Sequence, residues 1–165
     1  LKTLGAELRG AGTAAAGAAA VDSLHRLWGM PPGALRMADG SGLSRYDLLT
    51  PRLLVRVMER MAASPHAEAW RAALPVMGAE GTLARRGAGT PLAGRVVAKT
   101  GTMSGVRSLT GYLTTDAGER LVFAAVSNHH DRPAREVDRV VDAALLRLLA
   151  VPRGTAAPAV APAGP

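Results

Sequence analysis

The stretch "VVAKTGTMSGVRSLTGYLTT", residues 96–115, sets a short apolar run ending in Lys99-Thr100-Gly101 against a second β-type run, with "TMSG" between them as a tight turn. Downstream, "DAGE" leads into a third such run, "ERLVFAAVSN" at 119–128, so residues 95–128 predict a three-stranded antiparallel meander. The third run is apolar from Leu121 to Val126 without alternation. Both of its faces are therefore expected to be covered, which requires helices on two sides of the sheet. One follows at once: "PAREVDRVVDAALLRLLA", 133–150, gathers Val137, Val140, Val141, Ala144, Leu145 and Leu148 on one side and charges on the other.

Upstream of the meander the texture is helical. "AGTAAAGAAAVDSLHRLWGM" carries Val21, Leu24 and Trp28 at helical spacing and predicts a helix over about 14–28, on which the lone His25 reads as a surface or packing residue. "MADGSGLSRYDLL", 37–49, is a glycine- and serine-punctuated loop; Thr50 then caps a helix that has Pro51 at its first position and an apolar stripe of Leu53, Leu54, Val57, Met58 and Met61. Ser64 and Pro65 repeat that start for "HAEAWRAAL", which Pro75 stops. The glycine-rich connection 77–94 lacks the G-x-x-x-x-G-K-[ST] pattern of a phosphate-binding loop. Leu1, Leu4 and Leu8 fall at helical spacing, as if the sequence enters partway through a helix, and the Pro/Ala-rich 151–165 is expected to be a disordered tail.

A length of 165 residues suits one domain. Hydrophobic residues make up 48% and aromatics 3%, so the core is expected from Leu, Val, Ala and Met. No apolar run is long enough for a transmembrane helix. The absence of cysteine excludes disulfide and thiolate chemistry and leaves the compartment open. The net charge of +7 invites a nucleic-acid reading, but the arginines are scattered singly or in pairs and few aromatic residues are available for stacking, so no nucleic-acid partner is expected.

A strand bearing Lys99, Thr100 and Gly101, followed by Thr102, has a specific chemical use. Glycine lets a ligand backbone approach, while the hydroxyls and the ammonium offer donors to a carboxylate. The alternative is that Lys99 is a solvated edge-strand lysine that discourages aggregation. In "DGSGLSR" no Gly-x-Ser-x-Gly occurs, and Ser44 with Asp47 reads as a helix-entry turn near a cleft rather than as an activated pair. His129, His130 and Asp131 are adjacent and have no third ligand at a usable spacing, so no metal site is expected.

Taken together, "ADGSGLSR" at 38–45, the two proline-started helices, "AKTG" on a strand, "LTGYLTT" on the next and the closing amphipathic helix resemble the C-terminal part of the class C penicillin-binding proteins, the serine D-alanyl-D-alanine carboxypeptidases and endopeptidases of bacterial cell walls. The resemblance implies an α/β (α+β) transpeptidase/β-lactamase-like fold, an antiparallel sheet flanked by helices, with residues 1–150 as the C-terminal part of the penicillin-binding domain. It implies a serine acyl-enzyme mechanism on peptidoglycan stem peptides ending in D-Ala-D-Ala, acylation of the parent protein by β-lactams, no cofactor, and a periplasmic or otherwise extracytoplasmic location. Lys99 and Thr102 would be catalytic, Thr102 through a backbone oxyanion-hole N–H, and Thr100, Gly101 and Thr102 would bind the substrate carboxylate.

The family's other two motifs are missing. None of the seven serines, Ser23, Ser41, Ser44, Ser64, Ser104, Ser108 and Ser127, has lysine three positions on or asparagine two positions on, so neither Ser-x-x-Lys nor Ser-x-Asn occurs. The expectation is a C-terminal portion that needs the N-terminal part of the same domain and is inactive alone. The alternative is a non-catalytic remnant that binds peptidoglycan or a protein partner.

Overall fold

The computed structural model describes residues 1–152. Its sheet is the antiparallel meander expected from the sequence: β3 (Val96–Met103), β4 (Val106–Thr114) and β5 (Arg120–Asn128), in that order across the sheet. The register places Lys99 opposite Thr110, Gly101 opposite Ser108 and Thr102 opposite Arg107. Two-residue strands β1 (Leu35–Arg36) and β2 (Leu48–Leu49) form a separate small ladder. The second of these lies within 37–49, which the sequence pattern marks as loop.

Helices cover both faces. On one, α5 (Ala134–Leu149) lays Leu145 and Leu149 against Val96, Ala98, Leu109, Leu113 and Phe123, with Met77, Leu83 and Leu92 completing the cluster. On the other, α3 (Pro51–Ala62) and α4 (Ala67–Ala72) bring Met58 and Trp70, with Leu74, onto Val97 and Tyr112. The alternation of β-strand side chains sorts the sheet accordingly. Even-numbered residues of β3 face α5, and odd-numbered ones face α3 and α4.

The local signals acted largely as their chemistry demands. Thr50 caps α3 by accepting from the Leu53 N–H, with Pro51 in the first turn. Thr13 caps α2 (Ala14–Leu27) through the Ala16 N–H. Preceding it, α1 (Lys2–Arg9) ends on Gly10 in the left-handed conformation. The hairpin of α1 and α2 is tight because both contact points are glycines: a Cβ on Gly17 would lie 2.1 Å from the Leu1 carbonyl oxygen, and one on Gly5 2.5 Å from that of Ala11. His25 packs at a tilt on Trp28, ring centroids 5.5 Å apart, and its partial burial lowers its pKa.

Three expectations need correction. β5 is not enclosed on both faces: only Phe123 is buried and its neighbours are half-exposed, because among the described residues β5 lies at the edge of the sheet while the buried centre is β4. Val140 is 71% exposed, since the buried stripe of α5 runs through Leu145 and Leu149 with Val141 and Leu148 beside it. Finally, α4 begins at Ala67 rather than at Pro65. Ser64 accepts from the His66 N–H in a turn instead of capping the helix, and Pro75 does more than end it, because its carbonyl accepts from the Ala98 N–H on β3. Of the expected tail, residues 153–165 lie outside the described residues.

Tyr112 ties the α3 and α4 face to the sheet. Its hydroxyl donates to the Met58 carbonyl at 2.7 Å and accepts from Trp70 Nε1 at 3.1 Å, and burial raises its pKa. Tyr112→Phe leaves a carbonyl and an indole N–H short of their partner, and is expected to lower stability by about 1–3 kcal/mol in urea unfolding.

Candidate active site

The β3 edge is built in two parts. From Val96 to Ala98 it is covered: the Met77 N–H donates to the Val96 carbonyl and the Ala98 N–H to the Pro75 carbonyl, closing an isolated bridge between Val76 and Val97. These bonds establish that even-numbered residues of β3 direct their backbone groups away from β4. By the same alternation, the N–H and C=O of Thr100 and Thr102 point outward, beyond the end of the covering segment. Among the described residues no backbone pairs with the outward side of this stretch, which leaves a strand edge of the kind to which an extended peptide can add.

The side chains along the edge divide between the two faces. Lys99 is exposed on the α3 and α4 face, where its ammonium donates to the Thr100 carbonyl at 2.8 Å. It lines a pocket of about 410 Å³ with Leu54, Val57, Met58, Trp70, Ala73, Leu74, Thr100, Ser108 and Thr110. Thr100 and Thr102 present their hydroxyls on the α5 face. Thr100 Oγ1 lies 3.1 Å from Thr82 Oγ1, and Thr102 Oγ1 accepts from Arg107 Nη1. A Cβ on Gly101 would fall 2.3 Å from Ser108 Oγ, so glycine keeps this step of the strand flat. The four residues singled out by sequence thus line one edge. Thr82 and Arg107 were missed: neither belongs to a local motif, and only the register and the fold of the 77–94 connection bring them there.

The "DGSGLSR" loop sits against the turn between β3 and β4, with Arg45 Nη2 donating to the Ser104 carbonyl at 3.2 Å. Its own polar groups hold the loop. Asp39 Oδ1 accepts from the N–H and hydroxyl of Ser41 at 2.8 and 2.7 Å, which lowers the Asp39 pKa, and Ser44 Oγ accepts from the Tyr46 N–H. Asp47 bonds back to the N–H groups of Ala38 and Asp39, at 2.7 and 3.2 Å, instead of shaping the helix entry that the sequence suggested. On the opposite side of the turn the His130 N–H donates to the Gly105 carbonyl, and His130 Nδ1 lies 3.0 Å from the Arg132 carbonyl. Among the described residues no group of three His, Asp or Glu side chains is placed to hold a metal ion, and no helix is long and apolar enough to cross a membrane.

Comparison with known proteins gives this edge a context. The profile of the D-Ala-D-Ala carboxypeptidase 3 (S13) family matches residues 1–148. A D-alanyl-D-alanine carboxypeptidase from an Actinomadura species is 43% identical over 139 residues, covering 81% of this chain and 26% of the relative. The D-alanyl-D-alanine carboxypeptidase DacB of Haemophilus influenzae is 36% identical over 114 residues, covering 68% of this chain and 24% of the relative. This chain therefore spans about a quarter of the length of these relatives. The crystal structure of penicillin binding protein 4 from Haemophilus influenzae superposes with a TM-score of 0.79 at 27% identity, over 89% of this chain and 35% of that one. The same protein complexed with a β-lactam gives 0.79 at 26% identity, over 90% and 36%.

Proposed function

The chain belongs to the D-Ala-D-Ala carboxypeptidase 3 (S13) family, and on that premise we propose that it supplies the Lys-Thr-Gly wall of a serine-type D-Ala-D-Ala carboxypeptidase or endopeptidase acting on peptidoglycan stem peptides outside the cytoplasmic membrane. The observation that carries this reading is the edge of β3, where covering backbone stops at Ala98 and the backbone of Thr100 and Thr102 turns outward. A peptide ending in D-Ala-D-Ala would lie along that edge. The Thr102 N–H would stabilise the oxyanion, a contact worth roughly 2.7–4 kcal/mol in other enzymes. The Thr100 and Thr102 hydroxyls would take the terminal carboxylate. Lys99, released from the Thr100 carbonyl, would face the reacting centre from the pocket side and hold positive charge there.

The serine nucleophile and its lysine would come from outside these 165 residues, because no serine here is followed by lysine three positions on. A β-lactam imitates the same peptide end and would acylate that serine. The test is incubation of this chain with a fluorescent penicillin beside the longest upstream-extended form its gene encodes, followed by denaturing electrophoresis. Covalent label is expected on the longer form alone. Label on neither form would overturn the reading, and label on this chain would mean that one of its seven serines is itself the nucleophile.

A further inference from the structure

We infer that Arg107 is a positioning residue: it fixes the Thr102 hydroxyl as a hydrogen-bond donor at the open edge of β3, and so favours ligands that end in a free carboxylate over the same ligands with that end made neutral. The inference rests on the proposed reading of this edge and adds a residue that lies outside the Lys-Thr-Gly run.

Arg107 stands on β4 directly opposite Thr102, and its Nη1 donates to Thr102 Oγ1. The direction of that bond is settled by chemistry, since a guanidinium has five N–H donors and no acceptor. With one lone pair of the hydroxyl taken by a cation, its single proton is driven to the other side. Thr102 is exposed there. A carboxylate arriving at the edge would meet a hydroxyl already turned to donate, with a positive group behind it. A carboxamide oxygen is neutral and a weaker acceptor, so it gains little from the same hydroxyl beyond what water already offers.

The arginine can do this because it is held from behind. Its Nε and Nη2 form a forked pair with Asp138 of α5 at 3.0 and 2.6 Å. Asp138 Oδ1 also lies 2.8 Å from Arg86 Nη1 as an ion pair, and Arg86 is itself hydrogen-bonded to Asp142 through Nε and Nη2 at 3.0 and 2.8 Å. Between 10% and 23% of each of the four side chains is exposed, so water competes only weakly for these bonds. Two arginines and two aspartates balance in charge, yet they are ordered in space. Arg107 is the member that reaches Thr102, while Asp138 lies on its far side. Lys99 is not placed for this role, because its side chain lies on the opposite face of the sheet, beside Leu54, Met58 and Trp70.

The test uses the 165-residue chain labelled with nitrogen-15 and titrated with N-acetyl-D-Ala-D-Ala and, separately, with its C-terminal amide. The backbone amide resonances of Gly101, Thr102 and Met103 are followed. No nucleophile and no turnover are needed, so a chain that penicillin fails to label still gives an answer. The acid is expected to shift these resonances and to bind about tenfold more tightly than the amide, the scale of one charge-assisted contact. Arg107→Ala is expected to remove that tenfold from the acid and leave the amide unchanged. Thr102→Val should act alike, the double variant should fall no further, and Arg107→Lys should recover only part. If Arg107→Ala loses dispersion across the whole spectrum, Arg107→Lys and Thr102→Val decide. The inference is overturned if those two keep the full ratio of acid to amide, if acid and amide weaken together, if the losses add in the double variant, or if the unaltered chain does not distinguish the two ligands.

Discussion

Gly111→Ala is expected to lower stability by about 3 kcal/mol or more, at the severe end of overpacking changes, and to be read as a large drop in urea midpoint or as failure to fold. The cause lies in the backbone. A Cβ on Gly111 would fall 2.2 Å from the Val97 carbonyl oxygen and 2.6 Å from Ala98 Cα, and neither atom can rotate away. Ala98 is fully buried under α5, so the strands cannot part without opening the larger core. Gly101 provides the internal comparison. Its nearest obstruction is the Ser108 hydroxyl, which can change rotamer, so Gly101→Ala is expected to cost much less stability while crowding the strand edge. Thermal unfolding of the two variants side by side separates a glycine required by the fold from one that the site uses.

Asp138→Ala is expected to destabilise by about 2 kcal/mol. Removing one partner from a buried pair costs roughly 3–5 kcal/mol elsewhere, and partial exposure here lets water recover some of it. Asp138 is shared, so its loss strips Arg107 of its two bonds to the carboxylate and Arg86 of one ion pair at a stroke. The surface pair between Asp22 and Arg26, with side chains 33% and 59% exposed, is the control: Asp22→Ala should change stability by less than about 0.5 kcal/mol. Urea midpoints of both variants check the contrast. Equal effects would mean that the network is as solvated as the helix surface.

What the sequence discloses here follows the range over which its signals act. The meander was legible because turn residues and β-type runs alternate within 34 residues, and the caps at Thr13 and Thr50 were legible because a hydroxyl reaches an N–H only three positions on. The Lys-Thr-Gly edge was legible as a motif. Its geometry was not, because the covering segment at Pro75–Met77 sits inside a stretch that reads only as a helix stop and a glycine-rich connection. The same limit hid Arg107: as one of eighteen scattered arginines it carries no local signal, and only strand register puts it opposite Thr102. The apolar run of β5 misled for a related reason. Composition reports that a strand can be buried, whereas enclosure depends on neighbours, and β5 has a strand on one side only among the described residues.

The backbone of Pro75–Met77 lying along the first half of β3 also works as a ruler. Beyond Ala98 only Thr100 and Thr102 turn their amides and carbonyls outward before the strand ends at Met103, a window of roughly 16 Å at the usual rise per residue. An incoming chain can pair there over about two outward-facing residues before it collides with the segment already in place. That is too short a template for one copy to stack on another through this edge, which is the hazard an exposed strand ordinarily brings. Whatever docks must therefore bring its end with it, or else bend away from the sheet.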